Sequence, residues 1–431
     1  MREMKDSGNQ WIGSIPVDWN IAKMLYALKM PITDGPHTTP ELFDDGIPFV
    51  SAEAVSTGNG HINFDHMRGY ISQEFYEECC KKYIPELNDI YMIKSGATTG
   101  KVAIVNTDKK FTIWSPLAVF RSDEGRCYHK YIYYFIQSDG YQRQIENSWT
   151  YGTQQNIGMR TLEKLQICFP SLEEQQQIAD YLDEKCSKID AIIEKQQAVI
   201  EKLKAYKLSV ITEVVTKGLN PDVEMKDSGV DWLCEIPADW DAIQIRYLYA
   251  LRNERNYEAL ENVNLLSLYT DLGVFPHGEQ EERGNKVVTA DGYKCVHKND
   301  IVVNIILAWM GAIGLSEYDG VTSPAYDIYY PIANINSKFY HYLFRTKLFS
   351  GECYKYGRGI MAMRWRTYSS EFRAIKVPVP PKETQDRIVD YLDGLNEKIE
   401  KVITRKQEII EKLNAYKKSL IYEAVTGKKE V

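Results

Sequence analysis

Two long segments of the chain space their hydrophobic residues as an amphipathic helix does. Between 173 and 215 the apolar positions recur in alternating steps of three and four residues, with no glycine or proline among them. A later segment, 383–425, has the same pattern and is interrupted only by Gly394. At a rise of ~1.5 Å per residue, such a helix is a rod of about 65 Å.

A rod with one apolar stripe is unstable alone in water, because each unpaired Leu or Ile leaves roughly 1.5 to 3 kcal/mol of burial energy unrealised. We therefore expect the two predicted helices to pack on each other. The residues predicted to form that contact are Leu182, Ile189, Ile192 and Leu203 in the first helix and Leu392, Ile399, Val402 and Leu413 in the second.

The two helical segments are also copies of each other. Residues 170–216 align with 380–426 at an offset of 210, and about half of the aligned positions are identical. A second motif is repeated as well: MKDSGNQWIGSIPVDW at 4–19 returns as MKDSGVDWLCEIPADW at 225–240, at an offset of 221. A repeat of this length indicates a duplicated scaffold.

The regions between these repeats have diverged. They share only short echoes, such as Asn-Asp-Ile at 88–90 and 299–301, and their β-branched and aromatic runs, broken by Gly, Asn and Asp, predict short strands with some helix. We predict an α+β chain with a pseudo-twofold internal repeat. Its mixed α/β domains are expected at 1–169 and 220–379, and its helical segments at 170–219 and 380–431.

Composition narrows the possible classes of protein. A chain of 431 residues is too long for one ordinary core, and 44% hydrophobic with 26% charged residues is typical of a folded globular protein. No run approaches ~18 apolar residues, the first residues lack a signal-peptide core, and the eight cysteines form no C-x-x-C pair. We expect a cytoplasmic protein with reduced thiols and no contact with a membrane.

The net charge of −8 argues against a simple polycation that coats nucleic acid, so any contact with DNA has to use local basic patches. The sequence also lacks a G-x-S-x-G nucleophile motif, a metal-binding spacing of histidines or cysteines, and an Asn-Pro-Pro-Tyr or Asp-Pro-Pro-Tyr methyltransferase motif. We expect no catalytic residues and no metal site in this chain.

The first candidate site is the segment SGATTGKV at 95–102. It is one residue short of a phosphate-binding loop and has Val102 where that loop has Ser or Thr, so nucleotide binding is disfavoured. It fits either a plain turn between strands or a DNA-facing loop whose small residues let backbone amides approach a phosphate. In the second case the contacting residues are Lys94, Thr98, Thr99 and Lys101.

Two further candidates lie at matching places in the two halves. YGTQQNIGMR carries amides suited to bidentate reading of adenine, and YGRGIMAMRWRTY interleaves arginines with Trp365, which suits guanine reading, phosphate contact and base stacking. An Asn/Gln-rich turn and a solvated helix face are the structural alternatives. The DNA-binding candidates here are Tyr151, Gln154, Gln155, Asn156, Arg160, Arg358, Arg364, Trp365 and Arg366.

These motifs resemble the specificity subunit of type I restriction-modification systems. The resemblance is carried by the repeated motif MKDSG-x-x-W-x-x-x-IP-x-x-W, the P-x-x-EQ-x-x-I-x-x-YLD opening of the first helix and the repeated EKL-x-AYK segment, and it covers essentially the whole chain. The second helix departs slightly, because Thr384 replaces the glutamate of the Glu-Gln pair, but Gln385 keeps its place.

The resemblance implies two target recognition domains separated by two antiparallel helices that form a coiled-coil spacer, each domain reading one half of a split, asymmetric site in double-stranded DNA. Two modification subunits would methylate adenine, and restriction motor-nuclease subunits would translocate and cleave. S-adenosylmethionine, Mg and ATP are expected in those partners, with no cofactor in this chain. A stand-alone DNA-binding regulator and a coiled-coil structural adaptor remain as alternatives.

Overall fold

The chain folds into two compact units, each containing one mixed domain and parts of both long helices. Unit 1 comprises Met1–Gln196 with Gln407–Val431, and unit 2 comprises Gln197–Lys406. The computed structural model describes residues 2–149, 156–270, 273–278, 289–359 and 365–431. None of the helices in these residues combines the length and hydrophobicity that crossing a bilayer requires.

Unit 1 holds a four-stranded antiparallel sheet in the order β4-β10-β7-β8, a three-stranded sheet β6-β5-β9 and the two-stranded pairs β1-β2 and β3-β11. Its strands are β1 Met4–Asp6, β2 Ser14–Pro16, β3 Asn20–Lys23, β4 Thr33–Asp34, β5 Ile47–Val50, β6 Gly69–Ile71, β7 Ile90–Ile93, β8 Val102–Ile104, β9 Thr112–Ile113, β10 Leu117–Phe120 and β11 Gln166–Phe169. Besides the end of the second long helix, its α-helices are α1 Ala52–Ser56, α2 Gln73–Cys80, α3 His129–Gln137, α4 Asp139–Asn147, α5 Met159–Leu162 and the first part of α6 Leu172–Lys217.

Unit 2 repeats this plan with a four-stranded sheet in the order β15-β22-β19-β20 and the pairs β12-β13, β14-β23, β16-β17 and β18-β21. Its strands are β12 Met225–Asp227, β13 Glu235–Pro237, β14 Asp241–Gln244, β15 Tyr249–Leu251, β16 Leu266–Tyr269, β17 Gly273–Pro276, β18 Lys294–Val296, β19 Ile301–Asn304, β20 Ile313–Leu315, β21 Gly320–Thr322, β22 Tyr326–Pro331 and β23 Lys376–Val379. Besides the last part of α6, its α-helices are α7 Ser337–Phe344, α8 Lys347–Tyr356, α9 Ser369–Phe372 and the first part of α10 Lys382–Val425. The predicted α+β duplicated fold is confirmed.

The central strand of each sheet is a continuous apolar run because it is buried on both faces. In β7, Ile90 and Met92 pack into the core that includes α3 and α4, whereas Tyr91 and Ile93 pack into the core that includes α1 and β9. In unit 2 the strand β19 divides its side chains between two cores in the same way. Each domain is therefore organised in layers around one antiparallel sheet.

The Asn-Asp-Ile motif that the two halves share places a buried carboxylate just before each of these strands, after an asparagine of defined backbone conformation. Asp89 and Asp300 are 1% exposed, and each follows an asparagine with a positive φ, 70° and 73°. Asp89 accepts hydrogen bonds from Arg121, which follows β10, while Asp300 accepts them from Arg252, which follows β15. The two halves have thus kept the carboxylate and changed the arginine that neutralises it.

A buried glutamine attaches each mixed domain to the start of its long helix. The Oε1 atom of Gln175 accepts a hydrogen bond from the backbone N–H of Tyr128 at 2.8 Å, and its Nε2 donates to the carbonyl of the proline five residues earlier at 3.0 Å. Gln385 makes the equivalent bonds, to the N–H of Asn336 and to a proline carbonyl, both at 2.8 Å. Tyr128 and Asn336 immediately precede α3 and α7, so the glutamines fix where these helices begin.

The aspartate of each repeated YLD motif makes a second attachment. Asp183 binds Lys130 and Tyr134 of α3, at 2.5 and 2.6 Å. Asp393 binds the lysine and the tyrosine at the same spacing in α7, at 2.8 and 2.6 Å. The motifs shared by the two helices are therefore the residues that hold a mixed domain on each helix.

Within each unit the two long helices run antiparallel, and an ion pair joins them. In unit 1 the Nζ of Lys417 lies 2.6 Å from a carboxylate oxygen of Asp190, and in unit 2 the Nζ of Lys207 lies 2.9 Å from Glu400. The two ion pairs occupy equivalent places in the repeat, because Asp190 corresponds to Glu400 and Lys207 to Lys417 at the offset of 210 residues. Gly394 does not interrupt α10, which is continuous over 44 residues.

The packing between the helices differs from the prediction at one set of positions. Most of the predicted contact residues are buried or half-buried: Leu182, Ile189, Leu203, Leu392, Ile399 and Leu413. The two exceptions, Ile192 and Val402, are each 44% exposed. They occupy equivalent places in the repeat, so the prediction is wrong at the same point in both helices.

The physical reason is that the apolar surface of each long helix is wider than the part that the other helix covers. After Leu182 and Ile189 the contact continues four residues later, at Cys186 and Ile193, and not three residues later at Ile192. Either step satisfies the heptad pattern, and the residues on the exposed steps are apolar as well. The helices therefore carry an additional apolar flank beside their contact.

One position of the repeated MKDSG motif gives a stability prediction. Gly13 has φ +72°, which suits glycine, and its equivalent in the second copy of the motif is the exposed Cys234 at φ +54°. A side chain with a Cβ is strained in this region of φ, so we expect Cys234→Gly to raise the free energy of unfolding by roughly 0.5 to 1 kcal/mol. Gly13→Ala should lower it by about 1 kcal/mol, since the added Cβ meets no atom closer than 3.5 Å and only the strain acts. Chemical denaturation measures both; a decrease for Cys234→Gly would contradict the explanation.

Candidate nucleic-acid interface

Loops from several strands meet at one end of the unit 1 sheet. The segment 94–101 joins β7 to β8, and the Ser-Pro echo at 115–116 precedes β10. The backbone N–H of Ile157 donates to the carbonyl of Lys94 at 3.0 Å, and the N–H of Lys94 donates to the carbonyl of Pro116 at 2.8 Å. Ser95 also forms a bridge with Asn156. Two segments that the sequence analysis selected independently are thus neighbours.

The segment 94–101 is a turn between antiparallel strands. Its last residues close it through the N–H of Gly100, which donates to the carbonyl of Ile93 at 2.8 Å, and Gly100 has φ +92°. A phosphate-binding loop leads from a strand into a helix, whereas this one leads into β8, paired with β7. The geometry therefore disfavours the nucleotide-loop alternative and leaves the strand turn and the DNA-facing loop.

The candidate side chains of this loop differ in accessibility. Lys94 is 8% exposed and its Nζ lies 3.4 Å from the buried carboxylate of Asp34, which argues against a DNA contact and for a structural role. Lys101 is exposed, and Thr98 and Thr99 are half-buried at the loop tip. The accessible polar groups of the loop are therefore those of Lys101 and the two threonines.

The neighbouring segment in unit 1 is described only in part. Asn156 is exposed beside the loop, and Arg160 is exposed on α5. Tyr151, Gln154 and Gln155 lie outside the described residues.

Unit 2 has an equivalent arrangement with different side chains. The segment 305–312 joins β19 to β20, and the N–H of Thr367 donates to the carbonyl of Ile305 at 2.8 Å, as Ile157 does to Lys94 in unit 1. Gly311, with φ +83°, stands at the place of Gly100, but its N–H donates within the loop, to the carbonyl of Ala308 at 2.9 Å. The offset between the two loops is 211 residues, so ILAWMGA replaces SGATTGK.

Aromatic rings support the unit 2 loop. Tyr354 and Trp365 are stacked, with centroids 4.9 Å apart and planes at 21°, and Trp309 of the loop meets Tyr354 edge to face at 5.9 Å. The Nε1 of Trp365 donates to the carbonyl of Tyr354 at 3.0 Å. These contacts fix the loop and the arginine-bearing segment relative to each other.

Two candidate arginines flank the aromatic stack, and they differ in electrostatic environment. Arg358 forms an ion pair with Glu371, whereas Arg366 is exposed and has no ion pair within the described part of the chain. Burial opposes ionisation of Glu371, but hydrogen bonds from Ser370 and Arg358 keep its pKa below the ordinary value. Arg366 is therefore the more available cation, and Arg364 lies outside the described residues.

Sequence reasoning missed the tip of the unit 2 loop. Leu307 and Met310 are 36% and 53% exposed, and Trp309 between them in sequence is half-buried. The Asn-Asp-Ile echo could have found them, because carrying its offset of 211 forward aligns this loop with the candidate loop of unit 1. Among the described residues no group of three His, Cys, Asp or Glu side chains could hold a metal ion.

Comparison with known proteins identifies the family. The type I restriction modification DNA specificity domain matches residues 33–202 and again 276–411, well over half of the chain, so the chain belongs to this family. The MjaVIII type I restriction enzyme specificity subunit of Methanocaldococcus jannaschii is 22% identical, over 96% of this chain and 93% of its own length.

Two solved structures share the fold. A chain from a type I R-M system, solved to explain complex assembly and conformational transition, superposes with a TM-score of 0.69 at 13% identity, covering 96% of this chain and 99% of that one. The HsdS subunit of Thermoanaerobacter tengcongensis gives a TM-score of 0.51 at 14% identity, with 96% and 98% covered. The family and the fold that the sequence motifs indicate are confirmed.

Proposed function

We propose that this chain is the DNA-reading subunit of a type I restriction-modification complex and that each of its two units reads one half of a bipartite, asymmetric site. The observation that carries the proposal is the pair of equivalent loops at residues 94–101 and 305–312. They occupy the same place in two copies of one fold, beside segments of different chemistry. Two copies of a scaffold with different reading surfaces suit two different half-sites.

The contacts follow from the side chains at each surface. In unit 1, Thr98, Thr99, Asn156 and Lys101 offer hydrogen-bond donors and acceptors and one phosphate-binding cation. In unit 2, Arg366 offers an exposed guanidinium, and Trp365, the preceding residue, offers an indole ring stacked on Tyr354. These are the residues that we propose to meet DNA.

The chemistry is proposed to reside in partners. Adenine methylation would be carried out by modification subunits that bind S-adenosylmethionine, and cleavage by motor-nuclease subunits that use Mg and ATP. This chain would contribute no reacting group. Because its net charge is −8, we expect the isolated chain to bind DNA weakly and with strong salt dependence, and tight binding to need the complex.

The apolar flank of the long helices is the proposed docking surface for the modification subunits. In unit 1 it consists of Ile192, Ile409 and Tyr416, which are 44%, 37% and 55% exposed. Its repeat equivalents in unit 2 are Val402, Val199 and Tyr206, at 44%, 38% and 54%. Two equivalent apolar surfaces fit two copies of one partner.

Mapping adenine methylation across the genome, with and without the gene, tests the proposal. We expect one split motif with a fixed gap to lose methylation when the gene is removed. An unchanged methylation pattern together with binding to a palindrome would favour a stand-alone regulator. An unchanged pattern with no DNA footprint for the chain or its complexes would favour a structural adaptor.

A further inference from the structure

The tip of the unit 2 loop presents apolar side chains on a rigid support. Asn304 accepts hydrogen bonds through Oδ1 from the N–H groups of Ile306 and Leu307, at 3.0 and 3.3 Å. The N–H groups of Met310 and Ala312 both donate to the carbonyl of Leu307, at 2.9 and 3.1 Å. The backbone is therefore held so that Leu307 and Met310 cannot turn into the core.

The ring behind the tip is also fixed. The Nε1 of Trp309 donates to the carbonyl of Ile306 at 2.9 Å, and its ring packs edge to face on Tyr354. Met310, at the outer end of the same turn, stays 53% exposed. An apolar side chain that is held in water costs free energy until a ligand covers it. The exposed tip is therefore typical of a surface that contacts a ligand.

Comparison of the two halves indicates what the ligand is. The apolar flank is kept between the halves, as expected where both units meet the same partner. The loop tip is changed: Met310 stands where unit 1 has Thr99, and Trp309 where it has Thr98. The backbone N–H of Thr367 donates to the carbonyl of Ile305, so the loop lies next to the segment that carries Arg366, whose exposed guanidinium has no ion pair in the described chain and complements a phosphate backbone. A changed surface with a neighbouring cation fits DNA whose sequence differs between the half-sites.

The apolar side chains of the tip indicate which DNA base it contacts. In the major groove nearly every group on a base edge is a hydrogen-bond donor or acceptor, and the exception is the 5-methyl group of thymine. An apolar side chain against a guanine or cytosine edge would leave donors and acceptors unpaired. We propose, on the basis of the proposed function, that Met310 with Leu307 reads an A·T pair in the unit 2 half-site by packing on the thymine methyl group.

The test uses the complex of this chain with its modification subunits and a duplex containing its site. Each thymine of the unit 2 half-site is replaced in turn by deoxyuridine, which removes only the methyl group. We expect one replacement to weaken binding about fourfold, since a buried methyl group is worth that factor. Met310→Ala should weaken binding about tenfold and abolish the response to deoxyuridine, while Met310→Leu should retain both.

Ile332 provides the matched control. It is 54% exposed, follows β22 at the other end of the same sheet, and should tolerate substitution by Ala with unchanged binding. Thermal unfolding confirms that the variants fold. If no deoxyuridine weakens the wild-type complex, or if Met310→Ala keeps the response, the inference is wrong. If the wild-type complex shows no preference for any sequence, the proposed function itself fails, which is a distinct result.

Discussion

Replacing Ile192, Ile409 and Tyr416 with glutamate is expected to remove one of the two modification subunits from the complex. Each side chain is partly exposed on the unit 1 flank, and losing its burial at the interface costs about 1 kcal/mol or more. Burying three unpaired carboxylates adds to that cost. The affinity of this flank should therefore fall at least about 100-fold.

Native mass spectrometry of the complex measures the result as a stoichiometry. The wild-type chain should carry two modification subunits, the unit 1 triple variant one, and the chain with Val402, Val199 and Tyr206 also changed none. The single-unit variant of unit 2 is the matched control and should also carry one. Two bound subunits in the triple variants would show that docking takes place elsewhere.

Replacing Gln175 with leucine is expected to destabilise unit 1 by about 3 kcal/mol. Leucine has a similar size, but it leaves the N–H of Tyr128 and a proline carbonyl without partners in a fully buried place. Gln385→Leu should do the same to unit 2, where the N–H of Asn336 loses its acceptor.

Hydrogen exchange followed by mass spectrometry resolves the two units and measures this change. Protection should fall in α3 for Gln175→Leu and in α7 for Gln385→Leu. Gln176→Leu is the control, because Gln176 is exposed in the same helical turn and should change stability by less than about 0.5 kcal/mol. Equal effects of Gln175→Leu and Gln176→Leu would contradict the anchoring role.

The duplicated architecture was predictable from the sequence because repetition is a direct observation. The helices α6 and α10 follow from heptad spacing, and the glutamine and aspartate motifs mark positions that the fold cannot vary. The roles of these motifs could not be predicted from the sequence, because the hydrogen-bond partners of Gln175 and Asp183 lie about fifty residues away, in the region that differs between the two halves.

The exposed apolar flank could not be predicted from the hydrophobic pattern alone. Steps of three and four residues lead equally to Ile192 and to Ile193, and only the position of the second helix decides that Ile193 is the more buried of the two. Similarly, charge and small residues selected the loop of unit 1, but its counterpart around Met310 is apolar and gave no signal of binding. Only aligning the two halves at their Asn-Asp-Ile motif places it opposite the unit 1 loop.

The central claim is that each unit reads one half of the target independently. Exchanging residues 20–169 for the corresponding region of another family member, and then mapping adenine methylation, tests it most directly. We predict that one half-site changes while the other half-site and the gap between them stay the same. A motif that remains unchanged, or in which both halves change together, would contradict the claim.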